Sequence, residues 1–215
     1  MSDYSEEEQI AQIKDWWQRN GKPLLAGGAL ALVLVFAWKG WQNHQSDQAQ
    51  AASVLYQQLL ETTLVPSDQV DAQQVAKLLA ELKKVNSNSA YAQYGRLLAA
   101  KVAVDNKQLD DAALELNEVL AKPANDTLAE LARQRLARVL LAQEQAEQAL
   151  KLLDAKVQTA FIATREELRG DALVALERNT EAKAAYQKAQ QAISSEAAAG
   201  SSLIMKLDNL SEKDA

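Results

Sequence analysis

Hydrophobic and polar positions divide this chain into two unlike parts. From Pro23 to Trp38 (PLLAGGALALVLVFAW), 16 residues run without a charge, and nothing else in the 215 residues is continuously apolar. From about Gln45 onward, apolar positions recur three and four residues apart, the mark of amphipathic helices. The pattern predicts helices near 45–62, 68–85, 88–103, 109–121, 127–142, 146–157, 161–176, 180–194 and 201–210. Breaks fall at Pro66-Ser67-Asp68, Asn86-Ser87-Asn88-Ser89 and Lys122-Pro123-Ala124-Asn125-Asp126. Thr127 with Glu130 reads as a capping box, and Gly200 suits a left-handed position after a helix.

At about 1.5 Å per residue the apolar run covers roughly 24 Å, short of the ~30 Å hydrocarbon core. Lys22 and Lys39 extend it by burying their methylene stems, and Gly40 and Trp41 continue the low-charge run. Trp16–Trp17 and Trp38–Trp41 stand as two interfacial girdles. This predicts a transmembrane helix over 23–41. A cleaved signal peptide is the alternative, but Trp38-Lys39-Gly40-Trp41 is not a small-x-small cleavage site. Lys14, Arg19 and Lys22 precede the run, and after it Lys39 stands alone until Lys77, so the N-terminus is expected in the cytoplasm. In a bacterium the remainder is then periplasmic, and the anchor sits in the inner membrane.

Before the run, Ser5 and Glu8 form a capping-box pattern, and Ile10, Ile13 and Trp17 give a short helix one apolar side. Asn20-Gly21 is expected to end that helix and Pro23 to start the next. Gly27 and Ala31 have small-xxx-small spacing, read as ordinary membrane-helix composition rather than a docking face. The expected domains are a cytoplasmic tail (1–22), the membrane helix (23–41), a helical domain (42–210) and a flexible end (211–215).

Charge and chemistry narrow the function by exclusion. A net charge of −6 with a pI near 5.0 leaves no basic stripe for nucleic acid. There is no Cys for disulfides, thiolate metal sites or thiol nucleophiles, and the one His, His44, lies in the polar stretch after the anchor. The seven glycines are scattered and form no phosphate loop. Pairs such as Glu166-Glu167 fall on polar helix faces without an acid/base spacing. The expectation is a non-enzyme with no cofactor and no metal. Abundant Ala, Leu and Gln indicate an all-α domain.

The second half repeats itself. Ala112, Ala149 and Ala182 lie 37 and 33 residues apart. Twelve residues before each stands Ala100, Ala137 or Gly170, and four residues after each stands Leu116, Leu153 or Tyr186. Small residues let two helices approach and larger ones fill the groove between pairs. The mean period resembles the ~34 residues of tetratricopeptide repeats, stacked pairs of antiparallel helices. A generic bundle also gives Ala/Leu periodicity; three units in phase favour the repeat. Only the third unit has Gly170, Ala182, Tyr186 and Ala189 together, because Val119 and Lys156 stand where Ala189 does. The pair 45–62 and 68–85 lacks the signature and is expected to cap the stack, and 201–210 to close its far end.

Taken whole, the chain resembles the YfgM family, the ancillary subunit of the bacterial SecYEG translocon. The resemblance lies in Glu6–Gln9, Ile13-Lys14-Asp15-Trp16-Trp17, Asn20-Gly21-Lys22, Leu136–Leu141, Ala149–Leu153 and Leu168–Leu173. It implies an inner-membrane protein with a periplasmic repeat domain, associated with the SecYEG translocon and a periplasmic chaperone of the PpiD type. The implied role is help to newly exported proteins as an adaptor; the alternatives are direct holding of unfolded exported proteins or a general scaffold for envelope assembly. Registering the units places Tyr94, Leu97, Lys101, Leu131, Gln134, Arg138, Leu141, Glu167, Asp171 and Val174 on the concave, partner-binding face.

Overall fold

One helix carries the apolar stretch and runs past both of its ends. The computed structural model describes residues 6–193 and 200–213. Within them α1 spans Glu6–Thr63, with Pro23 in its interior. The expected end at Asn20-Gly21 and the separate helix from 45 are therefore corrected, and Ser5 lies outside the described residues. A proline inside a helix removes one hydrogen bond and crowds the preceding turn. Here side chains brace that turn: Asn20 Nδ2 donates to the Trp16 carbonyl at 3.1 Å, and the Trp17 ring lies against Gly21.

The chain divides into two compact units, Met1–Gln50 and Ala51–Ala215. In the first, α1 exposes Leu24, Leu25, Leu30, Leu32, Val33, Leu34, Val35 and Phe36 all round. It is the one described helix long and apolar enough to cross a membrane. Trp38 and Trp41 rings lie 5.4 Å apart, and His44 is exposed and bonded to Gln48.

In the second unit, the end of α1 packs with α2 (Ala72–Asn86), then α3 (Ala90–Asp105) with α4 (Leu109–Ala121). The pairs α5 (Asp126–Ala142) with α6 (Ala146–Leu153) and α7 (Ile162–Ala175) with α8 (Asn179–Ala192) follow, and α9 (Gly200–Lys213) packs on α8. There is no strand among the described residues. α3 contacts α5 and α5 contacts α7, so first helices stack on first helices. This is the all-α, tetratricopeptide-like stack expected from the periodicity. The small and large positions of the repeat are all buried: Ala100, Ala137 and Gly170; Ala112, Ala149 and Ala182; Leu116, Leu153 and Tyr186. Gly170 has to be glycine, because a Cβ there would stand 2.2 Å from the Tyr186 ring.

The turns inside the three pairs share one geometry. Lys107, Glu144 and Glu177 have φ of 63°, 62° and 59°. The next residue in each turn donates to the carbonyl five residues earlier: Gln108 to Ala103, Gln145 to Leu140 and Arg178 to Leu173, at 2.8–2.9 Å. These are Schellman closures, built here without the usual glycine. Gly200, expected at such a position, instead begins α9.

Other boundaries differ for traceable reasons. α5 is capped by Asn125, whose Oδ1 accepts from the Leu128 N–H at 2.9 Å, so Thr127 and Glu130 form no capping box. Glu130 is drawn away by Arg165. α6 stops at Leu153 rather than 157 because Arg165 Nη1 takes the Leu153 and Ala155 carbonyls, both at 2.7 Å. Lys156 is thereby exposed in a loop. α9 continues through Lys213, beyond the expected flexible boundary at 211, and Asp214 and Ala215 lie outside the described residues.

Candidate functional site

Buried polar groups hold the pairs in register and define what is left open. Gln93 of α3 clasps the loop before α5, donating to the Lys122 carbonyl and accepting from the Ala124 N–H, each at 2.8 Å. Glu130 occupies the same repeat position 37 residues later and accepts from Arg165 Nε at 3.0 Å and from Arg165 Nη2. Arg133 and Gln134 complete its shell, both at 3.0 Å. Burial pushes the Glu130 carboxyl up, but the hydrogen bonds from Arg165, Gln134 and Arg133 and the Arg165 charge outweigh it and hold the group below its ordinary value. Arg165 itself is 1% exposed. Arg96 is likewise buried and ion-paired with Glu115 and Glu118.

Against this frame the ten residues expected on the partner face separate into three groups. Leu97 and Gln134 are corrected to interior positions, 3% and 5% exposed. Leu97 packs with Leu116, Leu128 and Leu136, while Gln134 is committed to Glu130.

Glu167, Asp171, Leu141 and Val174 form the second group, where α9 completes the third repeat. Lys206 Nζ donates to Glu167 at 2.7 Å and to Asp171 at 3.0 Å, and lies 5.7 Å from the Tyr186 ring centre. Leu203 and Leu210 enter the core against which Leu141 and Val174 pack. Burial would lower the Lys206 ammonium, but hydrogen bonds and charge from Asp171 and Glu167 raise it. Tyr186 donates to Asp171 at 2.8 Å, and burial, followed by that bond and the neighbouring carboxylates, raises its phenol far above the ordinary value.

Tyr94, Lys101 and Arg138 remain exposed, with Leu131 half-buried beside them. Lys101 and Arg138 border a cleft of about 340 Å³ between α3, α4 and α5. Its floor is apolar, from Val104, Leu109, Val139 and Ala142, and its rim is cationic, from Lys101, Arg135 and Arg138. Arg135 reaches across from α5 to donate to the Leu97 carbonyl at 3.0 Å. Its guanidinium is held below its ordinary value by burial and then by the charge of Arg138. Lys101 pairs with Asp105 at 2.8 Å, but neither Arg135 nor Arg138 forms an ion pair among the described residues. Further along α3, Tyr91 and Tyr94 lie 5.7 and 6.1 Å from Tyr56 of α1.

Arg135, Val104, Tyr56 and Tyr91 are not reached from single register positions, whereas Tyr94 is. The missed signal is the neighbouring stripe 135/139/142 of α5, which lines the other wall. Among the described residues no group of three or more His, Asp or Glu side chains could hold a metal ion.

A model of a tetratricopeptide repeat-like domain matches residues 14–212. The chain is 33% identical over 186 residues to a protein of Haemophilus influenzae named ancillary SecYEG translocon subunit, covering 86% of this chain and 89% of that one. A protein of Escherichia coli with the same name is 31% identical over 183 residues, covering 85% and 86%. One from Neisseria gonorrhoeae, also so named, is 29% identical over 207 residues, covering 95% and 97%. No solved structure matches the chain. With the repeat stack and the apolar helix both in place along the matched length, the chain belongs to the tetratricopeptide-repeat-like family of ancillary SecYEG translocon subunits (YfgM).

Proposed function

We propose that this chain is a membrane-tethered adaptor of the Sec export machinery. Its apolar helix spans the inner membrane once, its N-terminus is cytoplasmic, and its repeat unit stands in the periplasm. There it joins the SecYEG translocon to a periplasmic chaperone of the PpiD type and assists newly exported proteins by protein–protein binding. The observation that carries this reading is the joining, in one chain, of a span-length apolar helix to a repeat stack over nearly the full length of relatives named for the translocon. Orientation is supported by Lys14, Arg19 and Lys22 before the span against Lys39 alone just after it. Tethering raises the effective concentration of a membrane-bound partner, so weak contacts suffice. The side-chain inventory supports binding rather than catalysis.

The test is crosslinking in native membranes followed by mass spectrometry. Translocon subunits and a periplasmic isomerase-like chaperone should be recovered with the chain, and their absence would remove the adaptor reading. Alkaline washing should leave the chain in the membrane.

A second reading, direct holding of unfolded exported proteins, is favoured by the exposed Tyr91, Tyr94 and Val104. It requires residues 45–215 to suppress aggregation of a model client at near-stoichiometric ratio.

A further inference from the structure

The cleft between α3 and α5 has a charge that indicates what it holds. In repeat register, Lys101, Arg138 and Asp171 occupy one position on successive first helices. The third is acidic and is answered from within the chain, by Lys206 on the amphipathic helix α9. The first two are basic, and among the described residues no segment of the chain covers them beyond the Asp105 carboxylate beside Lys101. Arg135 adds a third cation, half-buried next to Arg138 with only the Leu97 carbonyl as partner. Two guanidiniums brought together on an apolar floor, in a chain of net charge −6, repel each other until a carboxylate is placed between them.

Resting on the adaptor reading, we propose that this cleft is the docking site for an internal acidic–apolar segment of a partner protein. Aliphatic side chains enter against Val104, Leu109 and Val139, and a flanking Asp or Glu side chain bridges Arg135 and Arg138. α9 shows the same principle at the third repeat, an amphipathic segment whose Lys206 answers the carboxylates of the first helix α7. An internal segment fits better than a chain terminus because Tyr94 and Tyr91 are exposed again on α3 beyond the buried Leu97. They lie about 10 and 15 Å from Lys101 along the helix and give a passing chain further contact.

The experiment is calorimetric titration of the full chain, in a neutral detergent, with 14-residue Leu/Glu amphipathic peptides acetylated and amidated at their ends. The Glu peptide should bind at least tenfold more tightly than its Gln counterpart and weaken as salt rises. Arg138→Glu, at an exposed side chain without an ion pair, should lower its affinity at least tenfold, and Arg135→Gln should do likewise with an unchanged circular dichroism spectrum. Equal affinity for the Glu and Gln peptides, or an unchanged Arg138→Glu variant, overturns the proposal. So does tight binding of a Gln peptide only when its terminal carboxylate is free, which would make the cleft a reader of chain ends. Translocon co-purification, measured on the same variants, separates the two readings. Its loss from a variant that loses the peptide supports both readings. Its absence even from the wild type, with peptide binding intact, removes the adaptor reading alone.

Discussion

The third repeat and the junction of the first two are built from the same periodic positions, yet one is closed and the other open. At the closed end Lys206 neutralises Glu167 and Asp171, and Leu203 and Leu210 fill the space beside Leu141 and Val174. At the open junction Lys101, paired with Asp105, joins Arg135 and Arg138, which have no ion pair among the described residues, around an apolar cleft. Helix α5 spans the difference. Its start carries Glu130, sealed by Arg165, Arg133 and Gln134, and its later turns carry Arg135 and Arg138 without ionic partners. Charges that are internally satisfied hold the repeats together. Charges gathered on an apolar surface and left unanswered are what a partner would use.

The largest contrast should come from removing one arginine from each region. Arg165→Leu leaves Glu130 buried without its main partner and should destabilise the second unit by about 3–5 kcal/mol, read from thermal or denaturant unfolding by circular dichroism. Arg138→Leu should change stability by less than about 0.5 kcal/mol. Equal effects would erase the distinction between joint and docking surface.

The joint also carries a pH signature. Because the folded Glu130 pKa lies below the ordinary 4.5, its ionised form contributes stability that is complete above that value. That contribution is lost as pH falls through the lower, folded value. The stability gap between the wild type and Glu130→Gln should therefore narrow on acidification below 4.5 and stay constant from pH 6 to 8.

Packing beside the closed end gives the next effect. Gly170→Ala drives a methyl into the Tyr186 ring and should cost about 1–3 kcal/mol. Gly95→Ala meets the Leu82 Cδ2 methyl at 2.8 Å, the far end of a flexible side chain, and should cost less. The reverse order would mean that the third repeat yields more readily than its closed structure indicates. Lys206→Met removes a half-exposed charge network and should cost about 1 kcal/mol or less, while speeding proteolysis within α9. The smallest effect has the opposite sign. Glu144→Gly relieves a left-handed φ of 62° and should stabilise by up to about 1 kcal/mol, partly offset by the freer unfolded chain.

Much of the fold is legible in the residues. The Ala100/Ala112/Leu116 spacing and its two echoes locate the helix pairs because close helix packing admits only small side chains where backbones approach. The uncharged run from Pro23 is equally plain, since no soluble core needs such a segment flanked by tryptophan and lysine. Boundaries are less legible where a distant side chain intervenes. Thr127 and Glu130 satisfy the capping-box pattern, yet Arg165, 35 residues away, takes the glutamate and also ends α6 early. The turns at Lys107, Glu144 and Glu177 hide for another reason. A left-handed residue is usually announced by glycine, and here backbone hydrogen bonds hold it without one.

The all-α class, the apolar helix, the repeat period and the absence of thiol or paired-histidine chemistry are legible in the residues alone, because these rest on composition and on spacing within a single helix. Tertiary structure alone decided which stripe of each first helix meets a neighbour and which meets solvent. Leu97 and Gln134 turn inward while Tyr94, Lys101 and Arg138 of the same expected stripe stay outward, and Arg135 lines the cleft beside Arg138. Spacing names the helices that share a face; only packing between them sets the angle at which that face is presented.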